Sequence, residues 1–447
     1  MPDAGYVSKI HAIDLFAGAG GFSLGFTLAG IEVVAAIEYN KPATVTYAHN
    51  FPNHLVYHKD INDLDPAEVE SGLKEKKNLA KNDIDLIIGG PPCPGFSNIG
   101  RSKIISLIRE GNWDGQETRH RFVQDPRNKL FLQFVRYVKH FQPRGFVMEN
   151  VTGMLTSVSK NGISIPDLVK KEFNRIGYTC HLEELKAEEY GVPQVRRRLI
   201  FIGWKKNQEG DSFSHPLQST KKIWTSLDAV SDLPDVGQDG GALGHHLPPK
   251  NEFQRSMRYK LYGEAGIKDP NTGKIPKRTP QLTCHKGRKV NPRDRVIFPE
   301  LQHPKYGERV TYDKIDPNEL TFPPNWKWDD KKKLLINQDP TTTPAQYKWY
   351  DRKQFKDKMR RIPAHKPCYT LVAHMHNDAY MFIHPEPNTH RTITPREAAR
   401  IQSFPDQFDF SAGGTVAFCE QYRQIGNAVP PLMALAIARE IIRSWAD

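Results

Sequence analysis

Short apolar runs alternate with segments of helical periodicity through the first 205 residues. Gly20–Ala29 and Asn128–Phe141 have apolar residues spaced as on one face of a helix, which predicts two helices. The apolar runs have the length of buried strands, and they are Ile10–Phe16, Glu32–Glu38, Ile84–Gly89, Gly145–Asn150 and Leu199–Trp204. Strands that alternate with helices predict an α/β fold with a doubly wound, mostly parallel sheet.

The pattern changes after residue 205. Proline, lysine and aspartate become frequent and regular periodicity fades, which predicts a second domain of irregular architecture. Periodicity returns at Thr394–Phe404, where Thr394 and Pro395 have the residue types of a helix N-cap and first helical position. Pro430–Trp445 is strongly amphipathic and predicts a terminal helix.

Charge adds a candidate partner to this picture. The formal charge is +12, and residues 206–390 hold 31 lysines and arginines against 22 aspartates and glutamates. A polyanion such as nucleic acid fits this basic stretch, and a solvated basic surface that only aids solubility fits it equally well. The five cysteines lack CxxC spacing, which favours reduced thiols over a disulfide framework or a zinc site. The absence of a secretory signal and of a run of about 20 apolar residues predicts a cytoplasmic protein that binds no membrane.

A glycine-rich turn follows the first predicted strand. The dinucleotide pattern GxGxxG would start at Gly18 and would need glycine where Ser23 stands, so the turn suits an anion smaller than a pyrophosphate, such as a methionine carboxylate. Glu38 ends the second strand, where a carboxylate can accept both hydroxyls of a ribose. Asp60, in Lys59-Asp60-Ile61, is similarly placed after a further strand that would lie between Glu32–Glu38 and Ile84–Gly89, where it can accept from an adenine amino group. Glycines at turns and acids at strand ends also occur for structural reasons alone.

Candidate chemistry lies at the ends of three other strands. Cys93 stands in "GGPPCPGFS", residues 89–97, where prolines restrict the backbone and glycines allow close approach of a substrate. A cysteine reacts as the thiolate, whereas an isolated cysteine is more often a small buried hydrophobe. Glu149 ends an apolar strand, and the i, i+2 spacing places Arg196 and Arg198 on one face of an extended chain. A thiol, an acid and two cations around one crevice would form an active site.

Six segments in this order resemble the motifs of the DNA (cytosine-5) methyltransferases. "DLFAGAGGF" (14–22) resembles the cofactor motif, "GGPPCPGFS" (89–97) the Pro-Cys nucleophile motif, and "FVMENV" (146–151) the Glu-Asn-Val motif. "QVRRRLIFIG" (194–203) resembles the Gln-x-Arg-x-Arg motif. The two C-terminal motifs correspond to "RTITPREAARIQSFPDQF" (391–408) and "QIGNAVPPLMALAIAREI" (424–441).

The resemblance implies a Rossmann-like catalytic domain of residues 1–205, completed by 424–447, and a target-recognition domain of residues 206–423. It implies S-adenosyl-L-methionine as the cofactor and duplex DNA as the partner, with no metal. Cys93 would attack C6 of a flipped-out cytosine, Glu149 would carry a proton to N3, and Arg196 and Arg198 would hold the base. The residues implied for cofactor binding are Phe16, Gly18, Gly20, Gly21, Glu38, Asp60, Pro92, Leu130 and Asn427.

Two features depart from what the family pattern explains. The segment after Ser97 is long and cationic and contains Trp113, so we expect either a DNA-contacting loop or an insertion without a role; its cations are Arg101, Lys103, Arg109, Arg119 and Arg121. Candidate base readers in the second domain are too many to choose between. They are Arg278, Gln281, Lys286, Arg288, Lys289, Asn291, Arg293 and Arg295.

Other functions remain open at this point. An oxidoreductase with a redox cysteine would explain the α/β start but leaves Glu149-Asn150-Val151 without a purpose. A DNA-binding relative without catalysis is disfavoured by Cys93 and Glu149, and an RNA methyltransferase is the nearest rival. Because the cofactor motif begins within the first twenty residues, we expect a stand-alone modification enzyme that serves the same DNA site as a restriction endonuclease without a stable complex.

Overall fold

The computed structural model describes residues 9–92, 130–158, 162–206, 210, 212–218, 220, 222–260, 282–301, 312–341, 345–355, 358–377 and 379–446. The chain forms two compact units, which meet in sequence at 222/223 and at 427/428. The sequence predicts boundaries at 205/206 and 423/424. The described residues of the first unit therefore lie within 9–222 and 428–446, and those of the second within 223–260 and 282–427.

The first unit contains a seven-stranded sheet with helices along the chain between the strands. Its strands are β1 (His11–Leu15), β2 (Glu32–Glu38), β3 (Leu55–His58), β4 (Leu86–Gly89), β5 (Gly145–Val151), β6 (Tyr178–Lys186) and β8 (Arg197–Lys205), and a two-residue strand, β7, spans Gln194–Val195. Its helices are α1 (Gly21–Ala29), α2 (Lys41–Asn50), α3 (Pro66–Lys77), α4 (Leu130–Phe141), α5 (Ile165–Arg175) and, at the C-terminus, α12 (Pro431–Ala446).

The strand order is β3-β2-β1-β4-β5-β8-β6. Strands β1 to β5 pair in parallel, which confirms the predicted mostly parallel, doubly wound α/β sheet. Strand β8 runs antiparallel to both β5 and β6. Because of that direction the start of β8 lies beside the end of β5, with Arg198 opposite Val151.

Glycines bring α1 and α12 into close contact in this unit. A Cβ atom on Gly21 would lie 2.2 Å from the carbonyl oxygen of Val429, and one on Gly25 would lie 2.4 Å from Cβ of Ala434. No other residue type fits such distances. The glycines after β1 therefore serve helix packing as well as the turn itself.

The second unit contains shorter elements. Its α-helices are α6 (Ser226–Val230), α7 (Glu252–Arg255), α8 (Pro292–Glu300), α9 (Arg352–Phe355), α10 (Pro395–Ile401) and α11 (Phe418–Asn427). Three antiparallel strands, β9 (Trp326–Asp329), β10 (Leu334–Asn337) and β11 (Gln346–Lys348), form a small sheet in the order β11-β10-β9, and β12 spans Cys368–Tyr369.

Buried ion pairs hold the segment 391–408 in the second unit. Thr394 and Glu397 form a capping box at the start of α10, and Glu397 also accepts from Arg391 at 2.8 Å. Burial raises the pKa of Glu397, but the charges of Arg391 and His384 and their hydrogen bonds together outweigh burial and keep that pKa well below its usual range. Arg400 contacts Asp406 at 2.6 Å. This motif is therefore part of the unit's interior.

One helical stretch, Phe418–Ala446, is long and apolar enough to cross a membrane by length and composition. Of its most apolar window, 67% is buried within the structure, and a core helix passes the same test. Two separate helices, α11 and α12, make up this stretch. It is therefore weak evidence for a membrane span.

Candidate active site

Two glycines at the end of β4 allow close approach of neighbouring strands. A Cβ atom on Gly89 would lie 2.0 Å from the carbonyl oxygen of Leu15, and one on Gly90 would lie 2.9 Å from Oε2 of Glu149. Gly89 thus permits β4 to lie against β1, and Gly90 leaves room for a carboxylate from β5. The close approach that the sequence suggests for a substrate is made, at these two positions, by the protein itself.

Asn150 connects β5 to the residues that follow β4. Its side chain is buried, and Nδ2 donates to the carbonyl oxygen of Pro91 at 3.2 Å, while Oδ1 accepts from the backbone N–H of Val151. Pro91 lies two residues before Cys93. Sequence reasoning missed this contact, although a polar amide in an otherwise apolar strand is a signal that could have found it.

Glu149 and Arg198 form an ion pair at the junction of β5 and β8. Nε of Arg198 lies 2.7 Å from Oε1 of Glu149, and both side chains are mostly buried. A second nitrogen of Arg198, Nη1, donates to the carbonyl oxygen of Arg197 at 2.7 Å. Nε makes no hydrogen bond among the residues that the structure describes, so Arg198 acts on the carboxylate through its charge at close range.

Arg196 differs from Arg198 in its surroundings. Its side chain is 1% exposed, and Nη2 donates to the carbonyl oxygen of Ala428 at 3.0 Å, just before α12. Burial lowers the pKa of Arg196 well below its usual range; the charge of Arg198 adds to this, and that of Glu149 opposes it. The two arginines and Glu149 therefore influence one another, but only Arg198 contacts the carboxylate.

The turn between β1 and α1 has a backbone that few residues adopt. Gly18 and Gly20 have φ of +57° and +100°, and Phe16, with φ of +58°, is also in the left-handed region. A non-glycine residue there costs about 1–3 kcal/mol, and such strain is typical of binding sites. The N-cap of α1 is Gly20, which has no side chain to cap the helix, so a ligand anion would find a helix N-terminus.

The predicted adenosine-binding acids follow the next two strands. Glu38 accepts from the backbone N–H of Gly18 at 2.8 Å and from that of Asn40 at 2.6 Å. Burial raises the pKa of Glu38, and these N–H groups oppose the rise. Asp60 accepts from the backbone N–H of Asn62 at 2.9 Å. Tyr39, which sequence reasoning missed, is 70% exposed beside Glu38 and offers an aromatic face there.

Some of the remaining predicted residues are described by the structure, and others lie outside the described residues. Pro92 is exposed, and Leu130 is partly buried at the start of α4, against the core. Asn427 is the exposed last residue of α11 in the second unit, so its meeting with Phe16 stays a prediction. Cys93 and the whole cationic segment after Ser97 lie outside the described residues.

Most of the candidate base readers that the structure describes have protein partners. Arg288 donates to Nδ1 of His376 at 2.7 Å, and Arg295 pairs with Asp239. Arg293 contacts Asp294 at 3.0 Å and lies 3.4 Å above the ring of Tyr350, and Asn291 caps α8. Lys286 and Lys289 are exposed and form no ion pair within the part of the chain that the structure describes. Arg278 and Gln281 lie outside that part.

The chain matches known proteins over nearly its whole length. The model of the family described as C-5 cytosine-specific DNA methylase matches residues 10–443. The type II methyltransferase M.DdeI of Desulfomicrobium norvegicum is 34% identical over 445 residues, which cover 98% of this chain and 89% of that protein. The type II methyltransferase M.AgeI of Thalassovita gelatinovora is 30% identical over 476 residues, which cover 97% of this chain and 99% of that protein.

A solved structure supports the fold. A DNA modification methyltransferase encoded within a prophage of E. coli superposes with a TM-score of 0.63 at 24% identity, covering 98% of this chain and all of that one. A likeness at this identity concerns the architecture alone. The family match and the two relatives place the chain in the C-5 cytosine-specific DNA methylase family, as a DNA (cytosine-5) methyltransferase.

Proposed function

We propose that the protein transfers a methyl group from S-adenosyl-L-methionine to C5 of a cytosine that is flipped out of duplex DNA, through a covalent bond between Cys93 and C6. The observation that supports this most is the pairing of Glu149 with Arg198 at 2.7 Å, directly against Gly90 and near the start of the Cys93 segment. The carboxyl group of Glu149 lies against Gly90, which precedes Cys93 by three residues in the sequence, and this supports a joint role for the acid and the thiol.

The proposed roles follow from what each group can do. A base inside a duplex hides C5 and C6, so the enzyme must first extrude it. The Cys93 thiolate adds to C6 while Glu149 donates a proton to N3, which gives C5 the electron pair that it needs to accept a methyl group. Loss of the C5 proton to water then returns electrons to the ring, the bond from C6 to Cys93 breaks to restore the thiolate, and N3 returns its proton to Glu149. Arg198 positions Glu149 throughout.

The turn of residues 16–21 fits the methyl donor. Positive φ at Phe16, Gly18 and Gly20, the uncapped start of α1 and the exposed ring of Tyr39 suit a carboxylate and an adenine. Glu38 and Asp60 would hold the ribose and the adenine amino group, with Gly21, Pro92, Leu130 and Asn427 completing the pocket. S-adenosyl-L-methionine would supply the methyl group and no metal would take part.

The biological role that we propose is protection of host DNA in the cytoplasm. The two relatives are named as type II methyltransferases, and we infer that this protein modifies the sequence that a partner restriction endonuclease cleaves, without a stable complex between the two. The second unit would act as the target-recognition domain.

The central experiment is transfer of label from S-adenosyl-L-methionine to duplex DNA, followed by base-resolution mapping of 5-methylcytosine. We expect C5 methylation within one short sequence, and DNA of that sequence should then resist endonucleases that cleave it. Cys93→Ala should abolish turnover and leave cofactor binding intact. Label that enters RNA and not DNA, or turnover by Cys93→Ala, would contradict the proposal.

A further inference from the structure

Four side chains form a continuous buried row of hydrogen bonds in the first unit. Oγ of Ser23 lies 2.6 Å from Oδ2 of Asp14 and 2.6 Å from the hydroxyl oxygen of Tyr47. That hydroxyl lies 2.9 Å from Nδ1 of His54. The row therefore joins β1, α1 and α2 to a histidine that is partly exposed, and none of the proposed catalytic steps uses it.

Asp14, at one end of this row, has unusual surroundings for a carboxyl group. Its side chain is fully buried, and Oδ1 has no hydrogen-bond partner among the residues that the structure describes. Burial raises the pKa of Asp14 to about 7 against the opposing effect of Ser23, and the charge of Glu38 adds to the rise. A carboxyl group in this position is therefore partly protonated near neutral pH.

The other members of the row stay uncharged. Burial, together with the charge of Lys77, lowers the pKa of His54 to about 4, while Glu32 opposes this. Burial and the charge of Asp14 raise the pKa of Tyr47 well above its usual range. A neutral imidazole can donate or accept at Nδ1, depending on its tautomer.

Asp14 lies directly behind the glycine turn. Ser23, its hydrogen-bond partner, is in the first turn of α1, whose N-cap is Gly20. Glu38, the charged residue whose electrostatic effect reaches Asp14, accepts from the backbone N–H of Gly18 in the same turn. A ligand of net positive charge at this turn, such as one with an ammonium and a sulfonium besides its carboxylate, would favour the ionised form of both carboxyl groups.

We propose that Asp14 gives up a proton when the positively charged methyl donor binds, and that Ser23, Tyr47 and His54 conduct that proton to solvent. The inference rests on the proposed function, because it requires S-adenosyl-L-methionine to bind at the turn. Asp14 acts here as a positioning residue that matches the charge of the site to that of its ligand.

The proton shift balances along the row. With Asp14 protonated on Oδ2, each hydroxyl donates away from Asp14, and Nδ1 of His54 accepts, so His54 carries its hydrogen on Nε2. When Asp14 ionises, its proton passes to Ser23, the Ser23 proton to Tyr47, and the Tyr47 proton to Nδ1 of His54. His54 then releases the Nε2 proton to water. The net result is one proton in solvent and the opposite tautomer of His54.

The proton release can be measured by titration calorimetry of the purified protein in buffers of different ionisation enthalpy. With a pKa of about 7 for Asp14, we expect about half a proton released per bound S-adenosyl-L-methionine at pH 7 and almost none at pH 9. Affinity should fall by up to about tenfold per pH unit below pH 7. S-adenosylhomocysteine, which lacks the sulfonium charge, should release fewer protons.

Two variants test the role of Asp14 separately from the role of the residues that conduct the proton. Asp14→Asn should abolish proton release and flatten the pH dependence of affinity, whereas Tyr47→Phe should keep proton release, because Asp14 is intact. In nitrogen NMR spectra of labelled histidine, the wild-type His54 should change tautomer on addition of S-adenosyl-L-methionine, and Tyr47→Phe should lose that change. The wild-type measurements decide the question even where a variant fails to fold.

Several outcomes would overturn the inference or part of it. Equal proton release for the two ligands, or for Asp14→Asn and the wild type, would show that Asp14 does not release the proton. An unchanged His54 tautomer would show that Ser23, Tyr47 and His54 do not conduct it. If S-adenosyl-L-methionine gives no binding heat at any pH and in any buffer, and no label reaches DNA, the proposed function itself fails. Binding without proton release would therefore contradict only the present inference.

Discussion

Position 90 is glycine because a side chain of the neighbouring strand occupies the space that a Cβ atom would need. The proline- and glycine-rich run 89–97 predicts a stiff turn with space for a substrate, but the sequence does not show what Gly89 and Gly90 face. In the structure Gly89 faces a backbone oxygen of Leu15, and Gly90 faces the carboxylate of Glu149. Two adjacent glycines therefore serve different purposes.

Substitution of these glycines should separate catalysis from stability. In Gly90→Ala the new Cβ meets Oε2 of Glu149 at 2.9 Å, and this flexible end can move, so the protein should fold normally. Displacing Glu149 should lower single-turnover methylation by about tenfold to a hundredfold, or roughly 1.4–2.8 kcal/mol.

Gly89→Ala is the matched variant. Its Cβ would meet the Leu15 carbonyl oxygen at 2.0 Å, and a backbone atom in the sheet cannot move aside. We expect destabilisation of about 3 kcal/mol or more, measured by urea unfolding. Normal turnover by Gly90→Ala, or equal stability of the two variants, would contradict this account.

At the scale of elements, strand direction decides which side chains meet. The sequence predicts β2 with its observed bounds, Glu32–Glu38, and the C-terminal helix to within one residue. It misses β6, which lies at the edge of the sheet and has mostly half-buried or exposed residues, because an edge strand with many polar residues lacks the apolar run of a buried one. The antiparallel direction of β8 also has no local signature.

That direction gives the three arginines at the start of β8 different environments. Arg196 is buried and donates to Ala428, whereas Arg197 is exposed and pairs with Glu184 at 3.2 Å on the surface. Arg196→Met should remove the charged hydrogen bond to the Ala428 carbonyl and cost about 1–3 kcal/mol of unfolding free energy.

The control is Arg197→Met, which removes a surface ion pair and should cost less than about 1 kcal/mol. Urea unfolding followed by tryptophan fluorescence measures both. Similar losses of unfolding free energy in the two variants would show that the Ala428 contact stabilises the protein no more than a surface ion pair does.

For the whole molecule, net charge overstates the number of free cations. The basic excess of residues 206–390 predicts a nucleic-acid surface, but several arginines nearby are held by the second unit itself. Arg391 and Arg400 are buried in ion pairs, and Arg288 and Arg295 have protein partners. Composition cannot distinguish these groups, since burial depends on residues distant in sequence.

Lys286 and Lys289 are therefore the cations of the predicted cluster that we expect to contact DNA phosphates. Replacing both with glutamine should weaken DNA binding at low salt and reduce the slope of log affinity against log salt by about one per lysine. Fluorescence anisotropy over a range of salt concentrations measures this slope.

Lys74→Gln with Lys76→Gln is the control, because both lysines are exposed on α3 in the first unit. It removes the same net charge and should leave the slope almost unchanged. An equal change in both double variants would mean that DNA senses only the total charge.

Local chemistry determines what the sequence alone establishes about this protein. Periodicity, strand-end acids and the order of six motifs are readable from neighbouring residues, and they specify the α/β sheet and the DNA (cytosine-5) methyltransferase family. The tertiary structure alone decides that Glu149 meets Arg198 and Gly90, that Arg196 is buried against Ala428, and that Asp14 begins a row ending at His54. These contacts depend on strand direction and helix packing, which bring together residues far apart in the chain.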